Sequence, residues 1–310
     1  MRKIPSQFAV FFWFVGVLAG SLLLAALVSP LAFHALESFH FHRVFNRIAE
    51  LLFLLGTVVL VRRLAITDRV TLGFGGPFLR QLAVAFLGLC VGICLMSAVA
   101  LGLFVLDIRD WKPGQEGSLS MVMDLLPAAL LSGLLVGLIE ETFFRGAMYG
   151  AIRQRGSAVM AMILTAVLYS AVHFLGEKFR IPAEEVDWSS GFVLLGKFFN
   201  AYARPLSIVD DFVALALLGV FFAVVRERTG HIGMCIGLHA GFVTVIAMLR
   251  EASVPVYDQP WSVLIGHTDG IVGWLVAVIA AAATVVAIKW PAARAQESSR
   301  ESDWDSPSRT

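Results

Sequence analysis

Eight stretches of the chain are apolar for long enough, or nearly so, to cross a bilayer: approximately 8–28, 44–61, 82–106, 122–150, 157–175, 207–226, 231–250 and 267–289. A hydrocarbon core of roughly 30 Å takes about 20 residues of helix. The second stretch is the weakest, with Arg47 and Glu50 at its start, and the fourth is interrupted by charges. The first is long and no small-residue cleavage pattern follows it, so it reads as an anchor and not as a removed signal peptide. Between the fifth and sixth stretches lies the longest loop on that side, 176–206. Its segment WSSGFVLLGKFFNAYARP is too short and too polar-flanked to span, and its aromatic spacing predicts a helix lying in the membrane interface. From Pro291 onward the chain turns Ser-, Arg- and Glu-rich, which predicts a disordered tail over 291–310.

Composition strengthens this picture. Of 310 residues, 58% are hydrophobic and 15% charged, and the mean hydropathy is +0.80. Soluble domains carry about 25% charged residues, so a soluble enzyme is excluded and lipid must solvate much of the surface. The net charge of +1 comes with no basic tail or stripe, which gives nucleic acid nothing to bind. Cys90, Cys94 and Cys235 all lie in apolar runs without zinc-finger spacing and read as packing residues.

The basic residues set the expected orientation. With the amino terminus inside, 14 Lys and Arg fall on inner segments and 9 on outer ones, Arg145 being set aside as intramembrane. The positive-inside bias therefore predicts eight helices in a bundle with both termini inside.

The fourth stretch, LLPAALLSGLLVGLIEETFFRGAMYGAIRQR, places Glu140, Glu141 and Arg145 in an otherwise apolar helix. A charge at the centre of a spanning helix costs about 2.5–3.5 kcal/mol on insertion scales. Glu141 and Arg145 are spaced i, i+4 and can pair along one face. Glu140 is rotated about 100° from Glu141 and has no partner in its own helix. Two histidines, His173 and His239, also lie in spans. At 1.5 Å per residue, Glu140, His173 and His239 lie roughly 18, 22 and 12 Å from the inner ends of their helices. Modest tilts would bring them to a common depth.

An unpaired glutamate with two histidines suits a general base that takes a proton from water while the imidazoles orient it or hold a developing oxyanion. The same three groups could instead ligate zinc, as two histidines and a glutamate do in many peptidases. Either chemistry hydrolyses a carbonyl compound, most naturally a peptide bond.

At these residues the sequence resembles the CAAX protease and bacteriocin-processing family of intramembrane peptidases, known as CPBP or Abi. The Glu-Glu-x-x-x-Arg motif is matched by Glu140, Glu141 and Arg145, followed by Gly146. The Phe-x-x-x-His motif appears as YSAVH, with Tyr169 and His173, and HAGFV supplies His239 of the third motif. The resemblance covers about 120–250 within a bundle of 1–290. It implies an eight-helix fold around an intramembrane cavity. Glu140 would activate water and His173 would assist it. His239 would hold the oxyanion, and Arg145 would orient the glutamates. It also implies a peptide or protein substrate entering from the lipid bilayer, prenylated or secreted, and a bacterial inner membrane as the setting.

One position departs. Val243 stands where the family has Asn or Asp, and valine donates no hydrogen bond. Losing one oxyanion donor typically costs about 10²–10³ in rate. Thr244, at i+5 from His239, points about 140° away. Two readings of another class stay open: a catalytically silent relative that binds a membrane partner or confers bacteriocin immunity, and a proton-coupled transporter, although no matched broken helices are visible. Asp210 and Asp211 read as an interfacial helix start, as does Asp124. His34, His40 and His42, with Glu37, read as loop residues.

Overall fold

The computed structural model of the chain describes residues 5–36, 39–114, 118–176 and 179–289. Helices dominate: α1 (Gln7–Phe33), α2 (Phe41–Arg63), α3 (Phe78–Val105), α4 (Leu119–Glu141), α5 (Tyr149–Arg153), α6 (Ala158–Val172), α7 (Ser190–Lys197), α8 (Val209–Thr229), α9 (Gly233–Ala252) and α10 (Trp274–Lys289). A π-helical stretch, Thr142–Met148, joins α4 to α5, so that the helical run is continuous over Leu119–Arg153. Each of the eight apolar stretches forms a helix. Five runs are long and apolar enough to cross a membrane: α1, α2, α3, Leu119–Arg153 and α9. The apolar helices α6 and α10 are shorter, and α8 carries Asp210 and Asp211 in its first turn and Arg226 and Arg228 in its last. Over its described residues the chain is a predominantly helical integral membrane protein. The tail expected over 291–310 and Glu37 lie outside the described residues.

Sequence chemistry sets the helix ends. Ser6, Ser118 and Ser157 accept a backbone N–H three residues on and cap α1, α4 and α6, each satisfying one of the orphan donors of a first turn. Gly230 takes φ +74° after α8, the left-handed conformation that glycine adopts without a Cβ penalty. The chain thereby reverses directly into α9.

The packing centre is α9, pressed between α3 and α4 by glycines on all three helices. A Cβ on Gly237 would lie 1.9 Å from the Ala85 carbonyl oxygen of α3. One on Gly92 would lie 2.5 Å from Leu238 O, and one on Gly133 2.4 Å from Ala240 O. GLCVG on α3, GLLVG on α4 and GLHAG on α9 are thus close-approach motifs. In lipid, where burying apolar side chains gains little, such backbone contact supplies much of the association between helices.

Two features differ from expectation. A short antiparallel pair, β1 (Arg109–Trp111) with β2 (Ser253–Pro255), closes one end of the bundle. Buried Arg109 holds it, donating to Ser253 Oγ and to the carbonyls of Gly270 and Leu249. The helix expected in the interface forms as α7 but is docked on protein: Leu194 and Phe198 pack with Ala25, Ala26 and Phe45 of α1 and α2. Gly191 permits the contact, since a Cβ there would lie 1.9 Å from Ala26 O.

Gly237→Val should lower the thermal unfolding temperature in detergent, since overpacking of this kind costs about 1–3 kcal/mol or more. Gly102→Ala, with nothing within 4 Å of the added Cβ, should leave it unchanged or slightly raised. Equal behaviour of the two variants would contradict the close packing of α9.

Candidate active site

Glu140 and Glu141 are neighbours in sequence with opposite surroundings. Glu141 is fully buried, and its Oε1 accepts from Arg145 Nη1 at 2.9 Å and from His239 Nδ1 at 2.8 Å. The guanidinium of Arg145 also donates to the Gly219 carbonyl of α8 at 3.2 Å. Aromatic faces box it in, with Cζ 4.5 Å from the Tyr169 ring centre and 4.9 Å from that of Phe222. The predicted i, i+4 pair therefore exists and ties α4, α6, α8 and α9 together.

Glu140 makes no such pair. Its side chain is 30% exposed to a cavity, and its buried Oε2 has no hydrogen-bond partner among the described residues. His173 Nε2 and His239 Nε2 each lie 3.9 Å from that oxygen. The three groups that the sequence placed at similar depths thus converge on one point, from α4, the end of α6 and α9.

The tautomers follow from the other ring nitrogens. His173 caps α6, and its N–H bonds the Ser170 carbonyl, which leaves Tyr169 O free of its usual backbone partner. His173 Nδ1 lies 2.7 Å from Tyr169 O; a carbonyl only accepts, so Nδ1 carries the proton. His239 Nδ1 faces a carboxylate oxygen that also accepts from Arg145, so it too donates. Both Nε2 atoms consequently face Glu140 with a lone pair whenever the rings are neutral. The His239 ring is held by stacking on Phe222, centroids 5.3 Å apart and 19° from parallel.

Three acceptor atoms around one point call for a proton-bearing or cationic occupant. A water molecule about 2.8 Å from Glu140 Oε2 and from either imidazole Nε2 spans the 3.9 Å separation as it stands. Zinc bound at about 2.0–2.1 Å in a tetrahedral site needs its ligand atoms about 3.3–3.4 Å apart, so the side chains would have to close by about half an ångström. The donor chemistry suits zinc, including Nδ1 atoms fixed by a second acceptor; the spacing suits water. Among the described residues, no group of three His, Cys, Asp or Glu side chains is arranged to hold a metal ion.

Two cavities meet at Glu140, which together with Val136 lines both. One, of about 400 Å³, lies between α1, α2, α4 and α6 and is walled mainly by apolar side chains such as Leu22, Phe53, Ile139 and Leu168. The other, of about 370 Å³, runs along α9 past His239 and Val243 to Asp211, Arg250 and Asp269. Val243 therefore lies on the cavity wall beside His239. Thr244 does not replace it: its hydroxyl donates to Ala240 O and packs against Gly133 of α4.

Some residues of this region were not visible as such in the sequence. Asp210 and Asp211 are buried rather than interfacial. The loop before α10 folds back over them, and Asp211 Oδ2 accepts the Thr268 N–H at 3.2 Å. Phe222 and Gly219 are ordinary apolar positions of α8 whose use depends on which helix face meets α4.

Residues 122–245 match the family model described as type II CAAX prenyl endopeptidase, Rce1-like. That span contains all three motifs, so the resemblance read from them is supported by an independent comparison. No curated protein and no solved structure gives a significant match to the chain.

The two glutamates should separate in their effect on stability. Arg145→Ala strands Glu141 in the interior and should cost about 3–5 kcal/mol, as breaking buried pairs does. Glu140→Gln, which breaks no hydrogen bond, should be close to neutral in the same thermal unfolding measurement. Comparable losses from both would contradict the division of roles.

Proposed function

We propose that the chain is a glutamate-dependent intramembrane endopeptidase of the CAAX type, acting on membrane-associated peptides that carry an apolar chain such as an isoprenoid. The observation that carries this reading is the approach of the Nε2 atoms of His173 and His239 to Glu140 Oε2, between a largely apolar cavity and one that also carries Asp211, Arg250 and Asp269. The family match over 122–245 supports the reaction class. The setting proposed with it is a bacterial inner membrane, crossed eight times with both termini inside.

A mechanism follows from counting protons. A water in the centre donates to Glu140 and to one imidazole, and the other imidazole completes the set when it carries a proton. Glu140 takes a proton from the water as its oxygen attacks the scissile carbonyl, and the imidazolium N–H donates to the oxyanion that forms. Collapse of the tetrahedral intermediate breaks the C–N bond, and Glu140 returns the proton to the leaving amine. Glu141 fixes the tautomer and orientation of His239, and Arg145 holds Glu141 in place through their hydrogen bond. Exclusion of bulk water by the surrounding helices strengthens each of these interactions. If zinc were present, Glu140, His173 and His239 would hold it, and it would supply Lewis-acid polarisation of the carbonyl.

Val243 supports a second reading, that of a silent relative which binds a membrane partner, because it removes an oxyanion donor from the wall beside His239. The loss of one donor slows catalysis by about 10²–10³ without abolishing it, so a slow peptidase remains the better account.

A search for new peptide termini in intact membranes compares wild type, Glu140→Gln and Val243→Asn. Termini lost with Glu140→Gln and increased with Val243→Asn are the expected result. Identical termini in all three would favour the silent, partner-binding reading.

A further inference from the structure

Besides Glu140, the apolar cavity contains a polar group with no partner. Asn46, on α2, lines it together with Glu140, and the Asn46 Oδ1 is buried with no hydrogen-bond partner among the described residues. Apart from Glu140, the other polar side chains of that cavity are engaged. Ser21 donates to Val17 O, and Arg47 pairs with Glu50 at the rim. A carboxamide facing an apolar cavity without partners is an unfavourable arrangement unless a ligand completes it.

Its height relative to the catalytic glutamate follows from packing. The ring of Phe53 on α2 meets that of Phe143, in the π-helical stretch that follows α4, in edge contact at 4.5 Å. The C-terminal ends of the two helical runs lie together, since Leu64 O just after α2 accepts from Arg155 just after α5. The two helices therefore run in the same direction. Asn46 is seven residues before Phe53 and Glu140 three before Phe143, so Asn46 lies further than Glu140 from that contact.

A peptide must be extended to be cleaved, and its backbone N–H and C=O groups then lose their helical partners inside a membrane that offers none. A carboxamide presents one acceptor and a pair of donors and so matches a peptide unit. We propose that Asn46 forms a peptide-amide subsite in the apolar cavity. Its carboxamide receives a backbone N–H of the substrate at a position removed from the scissile bond, on the side of Glu140 away from Val243. Asn46 is then a positioning residue that sets which bond faces Glu140, and an apolar substrate chain fills the rest of the cavity. The inference rests on the peptidase reading above.

The test measures binding of S-farnesylated cysteine peptides to the full-length protein in nanodiscs, in a Glu140→Gln background to prevent turnover. Asn46→Leu, nearly isosteric and suited to an apolar wall, should weaken binding roughly three- to tenfold, with thermal stability unchanged or raised. Asn46→Gln should fall between the two. Replacing the peptide's amides one at a time by esters should weaken binding at one position when Asn46 is present, and at that position should have no effect in Asn46→Leu. Equal affinity with and without the Asn46→Leu substitution, or the same ester profile in both proteins, would overturn the subsite and leave the peptidase reading intact. Absence of any farnesyl-peptide binding would overturn both.

Discussion

A single buried carboxylate oxygen organises the centre of this protein. Glu141 Oε1 accepts from Arg145 and from His239 at once, and through those two residues α4 is fixed to α8 and α9. Two charges and a titratable ring are tolerable in the interior because each is paired, and because the guanidinium is flanked by Tyr169 and Phe222. Without this pairing the charges would oppose insertion. With it, the cost is offset and a rigid frame results, in which His239 has one ring orientation and one tautomer.

That frame gives the adjacent glutamate its chemistry. A turn of about 100° between successive residues sends Glu141 into the packed core and Glu140 into the space between two cavities. Glu140 meets two imidazoles whose outer nitrogens are already committed, one to Glu141 and one to a carbonyl at the end of α6. The site is therefore preorganised by atoms that do not themselves face the reaction centre. The glycines that press α9 against α3 and α4 serve the same end, since they set the distance between His239 and Glu140 through backbone contact and not through adaptable side chains.

Much of this was legible in the sequence, for identifiable reasons. Spanning helices announce themselves by length and hydropathy, and a charge inside such a helix is costly enough to draw attention, as Glu140, Glu141 and Arg145 do. The i, i+4 spacing gave their pair, and counting residues from the helix ends brought Glu140, His173 and His239 to similar depths. What the sequence withheld depends on which helix faces meet. Glu141 as the partner of His239, the boxing of Arg145 by Phe222 and the burial of Asp211 under the loop before α10 are long-range contacts with no local signature. The pairs of glycines spaced by four in α3, α4 and α9 were a readable signal of close helix approach. The short β1–β2 pair was not, because its three-residue strands derive their stability from Arg109 and from neighbouring helix ends.

The central claim is that Glu140 activates a water molecule for peptide-bond hydrolysis inside the bundle. The most direct measurement incubates the purified full-length protein, in proteoliposomes, with an S-farnesylated peptide in oxygen-18-labelled water, and weighs the products by mass spectrometry. The account predicts a new carboxyl terminus carrying one heavy oxygen, formed slowly by the wild type and not by Glu140→Gln. Cleavage undiminished by Glu140→Gln, or no new terminus at all, would contradict it.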